Sequence, residues 1–187
     1  MSWKTGDGIK VFTRKDWGAK RPKTNYTPLG DLRSVVLHHG GPVGGPRWTF
    51  AKAAQTCRDW QAFHQGPQRG WNDIGYHYLV DGLGRLYEGR PVWALGAHVA
   101  AQNSHRVGIN FMQDGRTHGL TFMQRRTLRK LMKSDHDRLK LPALRKLANH
   151  AGRDFGVFGH REVPGQSTEC PGNKMLADIH KIIKEFT

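Results

Sequence analysis

The hydrophobic pattern of the chain changes its period several times, which predicts strands and helices in alternation. The apolar run "VVL" predicts a buried strand over residues 34–38. Residues 49–64 repeat their apolar positions every three or four residues, the period of an amphipathic helix, and Thr49 can cap its start. Further strands are predicted over residues 74–81, 85–90, 106–114 and 154–160, and further helices over residues 121–139, 142–152 and 173–186.

Glycine and proline mark the connections between these elements. The "GLG" at residues 82–84 links two predicted strands tightly and indicates a hairpin. Residues 40–46 are typical of a Gly/Pro-rich loop. Scattered Gly and Pro in residues 1–33 predict an irregular or lightly structured N-terminal segment packed on the domain. We therefore expect one α/β domain over residues 1–187, with a mixed central β-sheet flanked by helices.

Composition places the chain among globular proteins with one core. It has 187 residues, of which 37% are hydrophobic and 24% charged. No window approaches the ~20 apolar residues of a membrane span, so no stable membrane insertion is expected. Residues 1–8 lack the apolar segment of a secretory signal, so we expect synthesis in the cytoplasm.

The net charge of +15 implies a polyanionic partner. Nucleic acid, an anionic membrane face and an acidic polymer such as cell wall are the alternatives. The basic residues are spread out, and their densest cluster, within residues 125–133, has the spacing of a solvated helix face. Nucleic acid is the weakest alternative, because the chain shows neither an aromatic-basic recognition motif nor paired zinc-finger spacing.

Two predicted strands end in histidine, which indicates a candidate metal site. These residues are His38 and His160, and Cys170 follows ten positions after the second. Histidine and cysteine suit zinc, and three protein ligands leave a fourth position for the water of a catalytic site. From spacing alone, two alternatives stay open: Cys170 forms a disulfide with Cys57, or it is a buried thiol.

Four segments give this candidate site a context. "SVVLHHGG", "GWNDIGYHYLVDGLGRLYEGR", "LGAHVAAQNSHRVGINFM" and "FGHREVPGQSTECPG" follow one another between residues 34 and 172, after an early "RKDWGAKRP". Together they resemble the zinc-dependent N-acetylmuramoyl-L-alanine amidases, a family that includes phage endolysin amidases and peptidoglycan recognition proteins. The resemblance implies the fold of that family, one catalytic Zn²⁺ ion and hydrolysis of the amide bond between the lactyl group of muramic acid and L-alanine.

The resemblance also implies roles for individual residues. His38, His160 and Cys170 match the three zinc ligands, which leaves Cys57 as a free, buried thiol. Tyr76 matches the tyrosine beside the metal-bound water, where it orients the water and relays protons. Thr168 matches a position two residues before the cysteine ligand, where its hydroxyl would help to stabilise the developing oxyanion.

Substrate contacts are implied on the same basis. His98 and Asn103 match positions that line the glycopeptide groove, and the pair Gly70-Trp71 resembles one that accompanies diaminopimelate-type stem peptides. His39 follows a ligand directly, and neighbours on a strand point to opposite faces. We therefore expect His39 beside the metal site, as a hydrogen-bonded residue or a substrate contact, and not as a ligand.

One residue differs from a branch of this family and narrows the choice of branch. A branch that recycles wall fragments carries a glutamate base in a "GIE" strand, whereas this chain has Asn110, which cannot accept a proton. The role of the general base then falls to Tyr76, as in the endolysin and recognition-protein branch. The alternative is a peptidoglycan-binding module without catalysis, although recognition proteins of that kind typically lack the cysteine ligand.

The biological setting follows as a set of expectations. We expect a monomeric endolysin that is made in the host cytoplasm, is released by a holin and acts on bacterial peptidoglycan. A bacterial prophage-derived or recycling enzyme is the alternative. No separate wall-binding domain is expected, so the +15 charge would itself bring the enzyme to the anionic wall.

Overall fold

The computed structural model describes residues 1–41, 49–149 and 155–187. Within these residues the strands are β1 Trp3–Lys4, β2 Lys10–Phe12, β3 Ser34–His39, β4 Tyr78–Val80, β5 Leu86–Glu88, β6 Arg106–Phe111 and β7 Gly156–Gly159. The α-helices are α1 Arg14–Trp17, α2 Phe50–Gln65, α3 Phe122–Lys133, α4 Leu144–Ala148 and α5 Asn173–Lys184. Two 3₁₀ turns span Asp137–Leu139 and His160–Glu162.

The strands form one mixed sheet in the order β1-β2-β5-β4-β6-β3-β7. Strands β4, β6, β3 and β7 run parallel, whereas β5 is antiparallel to β4 and completes the predicted hairpin. Strand β3 lies between two parallel neighbours, which is why its apolar run is fully buried. Because parallel strands end on the same side of the sheet, the last residues of β3 and those that follow β7 lie close together.

Helices cover both faces of the sheet. Side chains alternate along β3, so Val35 and Leu37 join one core cluster, which includes residues of α3 and α5, whereas Val36 faces the other way. Helix α2 packs Ala53 and Cys57 into a separate cluster with residues of β4 and β5. Thr49 caps this helix as predicted, since its side chain accepts a hydrogen bond from the Lys52 N–H. The result is the predicted mixed α/β domain.

The N-terminal segment is more ordered than the glycine and proline pattern predicts. Strand β2 pairs in parallel with β5, and Thr13 and Asp16 form a capping box that starts α1. Trp17 is fully buried, and its indole N–H donates to the Glu88 carbonyl at 2.8 Å. The expectation of a lightly structured segment is therefore wrong for residues 3–17, whose local pattern is too short to stand out but whose tertiary contacts are extensive.

Two other predicted elements are too long. The helix predicted over residues 121–139 ends at Lys133, because Ser134 adopts an extended backbone and the chain turns into a separate 3₁₀ turn. The strand predicted over residues 74–81 is confined to Tyr78–Val80. The first half of the predicted strand makes other hydrogen bonds. The Gly75 N–H donates to Nδ1 of His64, so this N–H cannot pair with a neighbouring strand.

The remaining expectations have mixed outcomes. The helix predicted over residues 142–152 is α4, although residues 150–152 lie outside the described part of the chain, as do residues 42–46 of the predicted loop. Cys57 and Cys170 are both free, and Cys57 is buried, so the disulfide alternative is wrong. Among the described residues, no helix combines the length and apolar character that crossing a bilayer requires.

Candidate metal centre and substrate cavity

Two parallel strands bring the predicted metal ligands together. Leu37 on β3 lies opposite Gly159 on β7, so His38 and His160, each one position further on, come to lie side by side. Their ring centroids are 4.6 Å apart. Cys170 approaches from the loop before α5, and the ligand atoms of the three residues all lie within 4.8 Å of one another. The sheet edge thus assembles the donor set that the sequence predicts.

The loop that carries Cys170 is held from several directions. The Arg161 N–H donates to the Cys170 carbonyl at 2.9 Å, and the Cys170 N–H donates to Oγ1 of Thr168 at 3.1 Å. Further along the loop, Nε2 of Gln166 donates to the Ala100 carbonyl at 3.0 Å. Thr168 therefore positions the backbone of the cysteine, and its own hydroxyl hydrogen has no acceptor among the described residues.

Burial sets the protonation states of the three candidate donors. Desolvation lowers the pKa of His38 well below its usual value and also lowers that of His160, so both imidazoles are neutral and can act as ligands. Burial raises the pKa of the Cys170 thiol to about 12, so a thiolate needs a nearby cation to form. Two neutral imidazoles and one thiol with no carboxylate are a donor set that fits zinc.

His39 takes no part in the cluster through its side chain. As strand alternation predicts, its ring turns away from that of His38: Nδ1 accepts from the Gly115 N–H at 3.1 Å and lies 3.5 Å from a carboxylate oxygen of Asp114. Its backbone N–H, however, donates to Sγ of Cys170 at 3.4 Å. His39 therefore anchors the site by hydrogen bonds on both sides of the strand.

Tyr76 stands next to the first ligand. The Tyr76 and His38 ring centroids are 5.2 Å apart, and burial raises the Tyr76 pKa above its ordinary value. Tyr76 is thus a neutral phenol that can donate or accept a hydrogen bond, not a free base.

Asn110 pairs with His38 across β3 and β6, and its Oδ1 is buried with no hydrogen-bond partner among the described residues.

A cavity of about 640 Å³ opens beside the ligands. Its walls come from the end of α2, the loop that follows this helix, the segment before β6, and the ends of β3 and β7. A space of this size accommodates a small glycopeptide. The lining residues are Gly40, Trp60, Phe63, His64, Arg69, Trp71, Tyr76, Ala97, His98, Val99, Ala100, Ala101, Asn103 and His160.

The cavity includes three of the five predicted substrate contacts. Trp71, His98 and Asn103 belong to its lining, whereas Gly70 and His39 do not. Gly70 is exposed and has a φ of +64°, the left-handed region that glycine adopts without strain. Its role is to turn the backbone next to Trp71.

Asn103 also serves the fold. Its Oδ1 accepts hydrogen bonds from the backbone N–H groups of His98 and Val99, at 2.8 and 2.9 Å. This double contact fixes the turn that places the His98 ring against His38, where Nδ1 of His98 and Nε2 of His38 are 3.0 Å apart.

One wall of the cavity is aromatic and cationic. The His64 ring stacks on Trp71 with centroids 4.6 Å apart, and burial lowers the pKa of His64 to about 4, so this histidine is neutral. The Arg69 guanidinium lies 5.4 Å from the Trp71 ring centroid and 5.5 Å from that of Phe63. Within the described part of the chain, Arg69 is the only lining residue with a permanent charge.

Arg69, Phe63 and Trp60 are cavity residues that the sequence reasoning missed. The helical period assigns both aromatic residues to the apolar stripe of α2, yet Phe63 is 46% exposed. The available signal was the adjacency of Arg69 to the Gly-Trp pair.

Comparison with known proteins agrees with this geometry. The family model described as N-acetylmuramoyl-L-alanine amidase matches residues 28–173. Peptidoglycan-recognition protein LB of Drosophila melanogaster is 32% identical over 177 residues, covering 93% of this chain and 70% of that protein. The human N-acetylmuramoyl-L-alanine amidase is also 32% identical, over 95% of this chain and 29% of its own length. A crystal structure of peptidoglycan recognition protein-LE in complex with tracheal cytotoxin, a monomeric diaminopimelic acid-type peptidoglycan, superposes with a TM-score of 0.73 at 26% identity, covering 91% of this chain and 92% of that one.

Proposed function

Because the chain belongs to the N-acetylmuramoyl-L-alanine amidase family, we propose that it is an active, zinc-dependent amidase. Its substrate is the amide bond that joins the lactyl group of muramic acid to L-alanine in peptidoglycan. The observation that carries this proposal is the convergence of His38, His160 and Cys170 within 4.8 Å, next to a cavity that Tyr76 lines.

The residues divide the chemistry among them. His38, His160 and Cys170 would hold a zinc ion, which would supply Lewis-acid chemistry: polarisation of the scissile carbonyl and acidification of water. Tyr76, a phenol at the pH of the reaction, orients the attacking water and passes protons toward the leaving amine. Oγ1 of Thr168 accepts a hydrogen bond from the Cys170 N–H, and the same hydroxyl can donate its hydrogen to the oxyanion.

The cavity indicates the kind of stem peptide. A carboxylate of the stem would meet the Arg69 guanidinium, while apolar parts of the glycopeptide pack on Trp71 and Phe63. A related protein has been solved with a diaminopimelic acid-type fragment, whose extra carboxylate suits such a cation. We assign the substrate to this diaminopimelate-type class.

A second candidate function is recognition of peptidoglycan without cleavage. It is favoured by the similarity of this chain to several peptidoglycan-recognition proteins. The complete His38, His160 and Cys170 set argues against it, because binding without cleavage does not require a partly buried thiol beside two neutral imidazoles.

Digestion of purified peptidoglycan separates the two candidates. The zinc-loaded chain should release new N-terminal alanine, detected by mass analysis, with no increase in reducing sugar ends. The Cys170→Ala variant should release none. Co-sedimentation with the wall in the absence of new N-terminal alanine would instead establish the binding module.

The charge supports a targeting role. A chain of net charge +15 is attracted to the stem carboxylates and phosphate polymers of bacterial walls. Lysis of intact walls should therefore weaken between low and moderately high salt, while cleavage of a small soluble substrate changes little. Equal salt dependence of the two reactions contradicts this role.

The biological setting that we propose is host lysis by a phage endolysin. The enzyme would be made in the cytoplasm and reach the wall through holin lesions. Expression inside bacteria should cause lysis only when the inner membrane is permeabilised, whereas lysis without permeabilisation would exclude dependence on a holin.

A further inference from the structure

The two ring nitrogens of His38 face different partners. Nδ1 lies 3.7 Å from Sγ of Cys170, and Nε2 lies 3.0 Å from Nδ1 of His98. A neutral imidazole has one N–H donor and one lone-pair acceptor, so only one of these nitrogens can be a ligand at a time. The partner of Nε2 therefore determines whether Nδ1 is available to a metal ion.

The hydrogen-bonding direction follows from the far side of His98. Nε2 of His98 lies 3.2 Å from the Arg106 carbonyl, which can only accept, so Nε2 of His98 carries the proton. Nδ1 of a neutral His98 is then an acceptor and must receive the Nε2–H of His38.

The His98 ring has little freedom to change this direction. A Cβ atom on Gly96 would lie 2.5 Å from Cδ2 of His98, and one on Gly108 would lie 2.6 Å from its Cγ, so these glycines form a tight cradle for the ring. Asn103 holds the backbone N–H of His98 at 2.8 Å. The acceptor nitrogen is thus fixed toward His38.

We infer that His98 is a positioning residue that holds His38 in the Nε2–H tautomer and so presents its Nδ1 lone pair to a metal ion. This inference rests on the proposed function, because it gives the zinc site a supporting contact. Its role differs from the predicted substrate contact: His98 acts through a ligand, and the Arg106 carbonyl completes the chain of hydrogen bonds.

The first test reads the tautomer directly. Long-range ¹H–¹⁵N NMR correlations distinguish Nδ1–H from Nε2–H imidazoles, and they should be recorded on the zinc-loaded full chain and again after chelation. His38 and His98 should both carry the proton on Nε2. A proton on Nδ1 of His38 in the chelated protein would overturn the inference.

The second test measures zinc affinity by competition with a chelator. His98→Phe keeps a ring but removes the acceptor and should weaken zinc binding by about 10- to 100-fold. His98→Asn places an amide oxygen near the position of Nδ1 and should restore most of the affinity. His136→Phe removes another buried histidine, whose Nε2 lies 3.3 Å from the Lys130 carbonyl, and should leave zinc affinity unchanged.

The outcomes are distinguishable. Wild-type zinc affinity in a folded His98→Phe protein overturns the inference, and so does an equal loss in His98→Phe and His98→Asn. If circular dichroism shows that His98→Phe does not fold, the NMR tautomer and the Asn variant decide. A chain that binds zinc with the expected tautomer but leaves peptidoglycan intact refutes the proposed function alone.

Discussion

The Sγ atom of Cys170 lies 3.7 Å from Nδ1 of His38, although 132 positions separate the two residues. The contact depends on two structural features. Strand β3 places His38 at the edge of the sheet, and the Arg161 N–H holds the Cys170 carbonyl at 2.9 Å, so that the loop closes over the strand ends. The candidate metal site therefore depends on the closed fold, and its three proposed ligands can be tested one at a time.

The two cysteines provide a matched pair of variants. Cys170→Ala removes one of three ligands and should abolish zinc retention and wall lysis, because two histidines alone bind zinc far more weakly. Cys57 lies on the buried face of α2, so Cys57→Ala should cost about 1 kcal/mol of stability while zinc content stays normal. Atomic absorption and a turbidity assay measure both. Zinc retained by folded Cys170→Ala would remove this cysteine from the ligand set.

Tyr76→Phe tests the role of the phenol. The variant loses only a hydroxyl, so zinc content should be unchanged while kcat falls by about 10²- to 10⁴-fold, the usual range for a lost proton-transfer group. Tyr78→Phe is the matched control, since the Tyr78 hydroxyl donates to the Leu139 carbonyl within the core. That variant should lose stability but keep its turnover. A fully active Tyr76→Phe enzyme would refute the role given to Tyr76.

Arg69→Gln tests recognition of the stem carboxylate. Removing the only permanent charge among the described lining residues should raise KM about tenfold for a diaminopimelate-type substrate with kcat little changed, because the contact is remote from the reacting bond. The effect should vanish with a substrate whose extra carboxylate is amidated. Arg126→Gln changes an exposed arginine on α3 and should leave KM unaltered. A KM increase that is the same for both substrates would contradict the assignment.

The stability of the chelated protein should depend on His64 below neutral pH. Burial lowers the pKa of His64 to about 4, whereas an exposed histidine has a pKa of about 6.5, so the unfolded chain takes up the proton first as the pH falls. The stabilisation is complete above pH ~6.5 and is lost toward pH ~4; by pH 5 the loss is on the order of 2 kcal/mol.

Urea unfolding at pH 7 and pH 5 measures this effect. His64→Gln should shrink the difference in unfolding free energy between the two pH values by about 2 kcal/mol. If His64→Gln left the pH dependence unaltered, the His64 ring of the wild-type protein would be protonated as readily in the folded state as in the unfolded chain.

Trp17→Ala tests whether the N-terminal segment belongs to the core. Trp17 is fully buried and donates to the Glu88 carbonyl at 2.8 Å, so its truncation should cost about 3–5 kcal/mol. Lys15→Ala, on the exposed side of the same helix, should cost less than about 0.5 kcal/mol. Urea midpoints provide the comparison, and equal midpoints for the two variants would mean that the segment packs only loosely.

Several features could be predicted because their signals are local. The apolar run of β3, the period and cap of α2 and the hairpin of β4 and β5 each depend on neighbouring residues, and the structure confirms them. Strand alternation likewise predicted that the His39 ring would turn away from that of His38, and it does. The end of α3 and the short strands β1 and β2 were missed, because turns and pairings with distant strands decide them.

By itself the sequence determined the class of fold, the order of its motifs and the three candidate ligands, since residue type and short-range periodicity carry that information. Only the tertiary structure decided which nitrogen of His38 faces Cys170, that His98 occupies the other nitrogen and that Arg69 joins the cavity wall. Local periodicity orients a side chain relative to its own strand or helix. Contacts between residues distant in sequence depend on strand order and on loop closure, which the whole chain establishes together.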